Sequence, residues 1–383
     1  MKDISEIYVF DSTQRSTESA NGKDSLIFGN TTVELAVSGA QPARESIADA
    51  RREVIADDSQ LCVVTQKGRV FQNENPDIEV VLDRGRYLLV SIPSDKSGLI
   101  TEYQQPCYSV EAVDAGRVVY ERLDRPVTPE SVPAETQQQL DRLKRHTFDS
   151  TMVTLTDIHS RFSTSDGYDQ AGASCRGLLE GFGYETRIRR VDVPGLGASA
   201  NVLARKPGIT SPPKLLVTAH LDSINGPGGS TAVAPGADDN ASGSSGVVAL
   251  AEALSETEAA NDTLFILFGG EEQGLHGSRQ FIATGDDFDA ASVTAVINMD
   301  MIGSINAASS GTDPTLSVLL EGGEISREIM DGLTSAAHHY TSLEVSRSFN
   351  PHNSDHEPFI RAGIPAVLTI EGEDSNNQFI HTA

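Results

Sequence analysis

Lysine is scarce in this chain of 383 residues: seven Lys and 22 Arg stand against 29 Asp and 26 Glu, a formal net charge of −26. Such a surface repels a phosphate polyanion, which excludes nucleic acid as a partner and disfavours an anionic membrane surface. No apolar run approaches the roughly 20 residues that a membrane-spanning helix needs, so membrane insertion is not expected. The three cysteines, Cys62, Cys107 and Cys175, are too few and too scattered for a disulfide framework or a thiolate zinc site. One Cys62–Cys107 bridge is all their spacing leaves open. Residues 1–10 lack the apolar core and small-residue cleavage site of a signal peptide. Either the protein is cytoplasmic or the chain begins after a removed signal. Acid without lysine suits either an ordinary acidic enzyme or a protein kept soluble in high salt.

What is there divides in two. Up to Arg125 the apolar runs are short and β-branched, among them Ile7–Phe10, Thr32–Val37, Leu61–Val64, Ile78–Leu82 and Tyr87–Ile92. Turn-forming residues separate them, which predicts strands; only Glu45–Ile55 suggests a short helix. Residues 1–125 are therefore read as a β-rich accessory or pro-region domain. A proline-rich, polar stretch follows, and residues 126–144 read as a linker. From 145 to 383 apolar strands alternate with amphipathic helices. The fold class expected is α/β: a three-layer domain whose central, mostly parallel sheet is flanked by helices, preceded by the smaller β-rich domain. Ligands of such sheets collect beyond the carboxyl ends of the strands.

Five segments put metal-type side chains at those ends. They are Thr218-Ala-His220-Leu-Asp222, Gly236-Ala-Asp238-Asp239-Asn240, Gly270-Glu271-Glu272, Asn298-Met-Asp300 and Ser354-Asp355-His356. Taken singly, each has a plain structural reading: a hydrogen-bonded histidine, an N-cap, a solvated acidic pair. Together they are better explained by convergence on cations, because an unpaired buried carboxylate is expensive. Two His and three carboxylates can hold two divalent ions if one carboxylate bridges them. Imidazole and carboxylate without thiolate suits Zn²⁺, with Co²⁺ or Mn²⁺ as substitutes. One carboxylate of the Glu271-Glu272 pair is then left to move a proton from water to a leaving amine. Asp222 can reach the second ring nitrogen of His220 and fix its tautomer.

In this order and spacing the segments resemble the dinuclear zinc aminopeptidases of peptidase family M28, nearest the bacterial secreted leucyl type. The resemblance covers about residues 145–383 and includes Ile158-His-Ser-Arg-Phe-Ser-Thr164 and Ala362-Gly-Ile-Pro-Ala366. It implies a zinc-exopeptidase fold, a secreted or periplasmic location, and peptide substrates with a free, apolar N-terminal residue. It further implies that Asp239 bridges, His220 and Asp300 hold one zinc, Glu272 and His356 hold the other, and Glu271 is the general base. Asp222 stands behind His220. Phe349 and Asn353 replace a cysteine pair of the leucyl type, and Pro351 a pocket tyrosine, so the first-subsite preference departs from that type. The family also continues past a His-Thr segment where this chain stops at Ile380-His381-Thr382-Ala383, which suggests a truncated end.

His146, His159, His276, His338 and His339 read as surface or structural residues. Gly269-Gly270 lacks the Lys-Ser/Thr of a phosphate loop. Asp286-Asp287-Phe288-Asp289 reads as a solvated turn, with weak Ca²⁺ binding the other reading. Two other functions compete: a dinuclear-zinc carboxypeptidase or dipeptidase, for which Arg347 and Arg361 are the nearest terminus-binding cations, and a non-catalytic binding protein on the peptidase fold. An intramolecular contact between the N-terminal part and the peptidase domain is also expected.

Overall fold

The structure is a computed structural model that describes residues 4–11, 25–37, 50–100, 107–125, 133–285, 289–305, 316–372 and 374–383, without the side chains of 11, 37 and 210–214. The helical expectation for 45–49, the proline-rich 126–132, the acidic turn 286–288 and residue 373 lie outside the described residues.

A mixed sheet runs through the molecule. Its C-terminal half has the strand order Glu185–Val193, Gly197–Lys206, Asn261–Phe268, Thr210–His220, Ala295–Met299, Ala366–Glu371, Ser317–Gly322 and Glu344–Ser348. The pairs from Asn261–Phe268 across to Ala366–Glu371 are all parallel, so their carboxyl ends point the same way. Side chains alternate between the faces, as the pleat requires. Val217, Ala219, Phe265 and Leu267 meet the helices Arg145–Thr156, Asp166–Gly181 and Gly243–Leu254 through Leu155, Cys175, Leu179, Val247 and Val248. Leu216, Leu264 and Ile266 meet Phe281 and Phe359 on the opposite helices, His276–Thr284 and His356–Arg361. This is the expected three-layer arrangement. Each expected strand of this half is present, with ends shifted by a few residues; Glu344–Ser348 was not foreseen.

Local chemistry explains the elements. Ser165 caps Asp166–Gly181 by accepting from the Tyr168 N–H, and Asp166 and Asp169 complement the positive end of that helix. Gly243 lets Gly243–Leu254 press onto the strand carrying Asp300: a Cβ there would lie 2.3 Å from the Met299 carbonyl oxygen.

The N-terminal part is β-rich as read, but it is not separate. Val118–Leu123 pairs antiparallel with Glu344–Ser348, and the sheet continues through Ser25–Phe28, Thr31–Val37, Ile4–Asp11 and Arg51–Val54 to 13 strands. Arg51–Val54 is an edge strand where a helix was expected. Only Glu79–Arg84, Tyr87–Pro93, Ser59–Gln66 and Tyr108–Ala112 form a second, antiparallel sheet. One core then joins Phe28, Leu61 and Leu89 to Met301, Leu319, Leu368 and Ile370. Cys62, Cys107 and Cys175 are all unbridged. No helix among the described residues is long and apolar enough to cross a membrane.

Candidate metal centre

The parallel strands deliver their terminal residues to one place. His220 ends its strand, Asp300 follows Met299, and Glu271 and Glu272 sit in the turn after Phe268. Asp239 comes from the irregular turn Ala237–Ser242 that opens Gly243–Leu254. His220, Asp300, Glu271 and Asp239 are all buried.

Asp239 stands between two imidazoles. Its Oδ1 is 3.1 Å from Nε2 of His220, and its Oδ2 is 3.2 Å from Nε2 of His381. On the first side Asp300 Oδ1 lies 3.3 Å from the same His220 nitrogen; on the second, Glu272 Oε2 lies 3.1 Å from His381 Nε2. His220, Asp239 and Glu272 each bring a ligand atom within 4.8 Å of the others, and so do His220, Glu271 and Asp300.

His356 is not among them. It is buried with Nε2 3.7 Å from Glu321 Oε1, and burial pushes its imidazole down to about 4. The expectation that His356 is a ligand is thus corrected: its position opens the short helix His356–Arg361, and the imidazole that reaches Glu272 is His381. The signal was in the sequence, in Ile380-His381-Thr382, which was read only as the place where the chain ends. The structure brings His220, Asp239 and Glu272 together, and likewise His220, Glu271 and Asp300.

Asp222 holds the centre from behind. Its carboxylate accepts from the backbone N–H of Glu271 at 3.3 Å and of Glu272 at 3.1 Å, and from the Ser163 hydroxyl at 2.8 Å. Its own carbonyl takes the Nδ1 contact of His220 at 3.2 Å, which leaves Nε2 for the acidic side. Ser354 donates to Asp300 Oδ2 at 2.8 Å and is itself positioned by Asn298.

The donor set fits divalent cations on two counts. Both Asp239 oxygens, Glu272 Oε1 and His381 Nε2 are buried without a hydrogen-bond partner among the described residues, and buried polar atoms left so are rare unless a ligand takes them. The charge is also unbalanced. Burial opposes charge on His220 and His381, yet surrounding carboxylates, Glu271 and Asp300 for the first and Glu272 for the second, hold both well above the usual imidazole range. Burial, with Glu272 and Asp300 beside it, raises the Glu271 carboxyl well above the ordinary value, against the pull of Lys67 and His220.

Lys67 was not foreseen at all. It comes from the N-terminal part, is buried, and sets Nζ 3.3 Å from Asp300 Oδ2 and 3.5 Å from Glu271 Oε1. Burial disfavours its charge, but Asp300, Glu271, Asp239 and Glu272 outweigh that and keep the ammonium well above its usual range. Neither cation proposed for a peptide carboxylate is free: Arg347 pairs with Glu121 and Asp331, and Arg361 with Glu357. Phe349 lies under the Arg327 guanidinium, 4.1 Å from its ring centre, beside the Met330 core.

The sequence model described as peptidase family M28 matches residues 201–383, which hold every residue of the acidic centre except Lys67. Those residues, just under half of the chain, are similar to the M28 peptidases. The chain is similar to leucine aminopeptidase 1 of Trichoderma harzianum, 29% identical over 243 residues that make up 59% of each chain. Among solved structures it is similar in fold to a zinc aminopeptidase from Bacillus subtilis, with TM-score 0.53, 16% identity and coverage of 63% of this chain and 88% of that one. It is also similar in fold to the LapA aminopeptidase of Legionella pneumophila, with TM-score 0.56, 18% identity and coverage of 85% and 90%. The latter coverage takes in more than the M28-like part. The chain spans about half the length of the curated relatives it matches.

Proposed function

We propose that the chain is a zinc-dependent aminopeptidase that removes an N-terminal, apolar residue from peptides, using two zinc ions. The observation that carries this reading is Asp239, whose two oxygens each face a different imidazole, with Asp300 on the first side and Glu272 on the second. In this reading Asp239 would serve both ions, His220 and Asp300 would hold one, and Glu272 and His381 would hold the other. The names of similar proteins, leucine aminopeptidase and zinc aminopeptidase, support both the metal and the substrate class. The resemblance also supports a secreted or periplasmic location.

Two bound dications would polarise the scissile carbonyl and make a water between them acidic at neutral pH. The protein does the rest. Glu271 takes the proton of that water and returns it to the departing amine, the exchange of roles that one carboxyl can perform. Its raised carboxyl suits that shuttle. Asp222 fixes the Glu271–Glu272 turn by its backbone N–H groups, so base and ligand keep one geometry. Ser354 restrains Asp300.

Metal analysis should find two zinc ions per chain in wild type and in Glu271→Gln, with turnover of Leu-p-nitroanilide lost only in the variant. Full activity in Glu271→Gln would refute the role. Cleavage of an N-blocked peptide in preference to a free one would turn the reading toward a carboxypeptidase or deacylase.

A further inference from the structure

We propose that Arg161 is a positioning residue of the metal centre, tying the strand end that carries His220 to the turn that carries Asp239. This deepens the reading above and rests on it in taking those two residues as ligands. Arg161 follows the helix Arg145–Thr156 and is fully buried. A buried guanidinium is expected to meet a carboxylate, but among the described residues this one meets only backbone. Its Nε donates to the Leu221 carbonyl at 2.8 Å, Nη1 to the carbonyls of Pro235 and, at 3.2 Å, Leu155, and Nη2 to that of Gly236 at 3.0 Å. Three of the four acceptors flank the residues to be placed: Leu221 follows His220, and Pro235 and Gly236 lead into the Asp239 turn, Ala237–Ser242. Burial lowers the guanidinium to about 10, which leaves it charged at neutral pH, and Asp222, Asp239 and Glu272 favour that charge from a distance.

The acceptors sit where the ligands need support. Leu221 N–H donates to the Phe268 carbonyl at 2.8 Å, just ahead of the Glu271–Glu272 turn, while the Leu221 carbonyl takes Nε of Arg161. One residue thus joins two ligand-bearing segments to the guanidinium. The Gly236 carbonyl takes Nη2 and also the Ala241 N–H at 2.9 Å, the bond that closes the turn around Asp239. Gly236 has φ +47°, and a Cβ there would lie 2.4 Å from the Asp239 carbonyl oxygen and 3.0 Å from Nη2 of Arg161; glycine is what lets turn and guanidinium approach so closely. Ser223 secures the same junction: its hydroxyl accepts from the Arg161 backbone N–H at 3.2 Å and donates to the Ala234 carbonyl at 2.7 Å. A planar fork of five donors can hold several carbonyls at fixed spacing, which the single ammonium of lysine cannot. Because the fork meets only carbonyls, it sets a positive charge behind the acidic centre without occupying any ligand oxygen.

Chelator competition on the full chain tests this. Arg161→Met should weaken zinc binding about 10- to 100-fold, the range for groups that orient a ligand. Arg161→Lys should recover only part of that loss, because it returns the charge without the fork. Ser223→Ala, which keeps the guanidinium, should weaken zinc binding several-fold and raise amide hydrogen exchange at Ala241. Should Arg161→Met fail to fold, the other two variants carry the test: zinc affinity unchanged in both, however far the melting temperature falls, would make the junction merely structural and overturn the proposal. Full recovery by Arg161→Lys would overturn the tie in favour of charge alone. Weakened zinc binding in the variants, with no peptide cleaved by wild type, would uphold the positioning and overturn the peptidase reading. Cleavage by wild type with zinc affinity blind to residue 161 would do the reverse.

Discussion

Two buried clusters tie the N-terminal part to the M28-like part, and they are built on opposite principles. In the first, Arg86 meets Glu321 through two contacts at 2.9 and 3.1 Å, and Tyr87 donates to the same carboxylate at 2.7 Å. The His352 backbone N–H adds a fourth contact at 2.9 Å. Every lone pair of Glu321 is used, as a buried ion pair requires. In the second, Lys67 touches Glu271 and Asp300 at 3.5 and 3.3 Å while both oxygens of Asp239 and Oε1 of Glu272 accept no hydrogen bond among the described residues. The first cluster is saturated and holds the fold together. The second is a surplus of acid around one ammonium. Burial and charge alone do not distinguish a structural ion pair from a functional one; saturation does.

That contrast can be broken in several places. The largest effect is expected from Glu271→Gln, which should lower kcat by about 10³-fold, within the range of general acid–base catalysis, with zinc content unchanged. Next, His381→Ala should lose one zinc and cost at least about 100-fold in affinity, since even outer partners of a ligand cost 10–100-fold. His356→Ala should keep both ions; metal analysis of the pair decides between the two histidines. Arg86→Met strands Glu321 and should cost about 3–5 kcal/mol in urea unfolding, the penalty of one partner removed from a buried pair. A smaller effect concerns pH. Burial opposes charge on Glu321, but Arg86 and its hydrogen bonds hold the carboxyl below its ordinary value. That stabilisation is present above about pH 4.5 and is lost as pH falls through the lowered folded value. Glu321→Gln should therefore destabilise the chain more at pH 7 than at pH 3, measured by thermal melts at the two values.

Much of the M28-like half was legible because its information is local. A buried strand followed at once by His220 or Asp300, or a glycine turn carrying Glu271 and Glu272, is written in adjacent residues. Asp222 lies next to His220, and its carboxylate accepts from the Glu271–Glu272 backbone while its carbonyl meets the imidazole. What escaped was long-range. Lys67 and Glu271 are 204 positions apart, and Gln66-Lys67-Gly68-Arg69 looks like any polar turn. His356 misled because Ser354-Asp355-His356 has ligand-type chemistry; only the packing of its helix turns the ring to Glu321. The pairing of Val118–Leu123 with Glu344–Ser348 could not be read from either strand. Arg51–Val54 looked helical because Ala and Glu are helix formers, but a free sheet edge accepts charged residues, and Arg52 is satisfied there by Glu6 at 2.5 Å.

The shared 13-stranded sheet also sets an order of events during synthesis. Val118–Leu123 waits for residues 345–347, and the core around Phe28 and Leu61 waits for Leu319, Leu368 and Ile370. Contacts so distant in sequence close slowly, because the entropy of the intervening loop is lost before the contact forms. Those N-terminal strands are thus completed only after the later ones, and the Lys67 turn reaches its seat on Ile380 only once residue 380 has emerged.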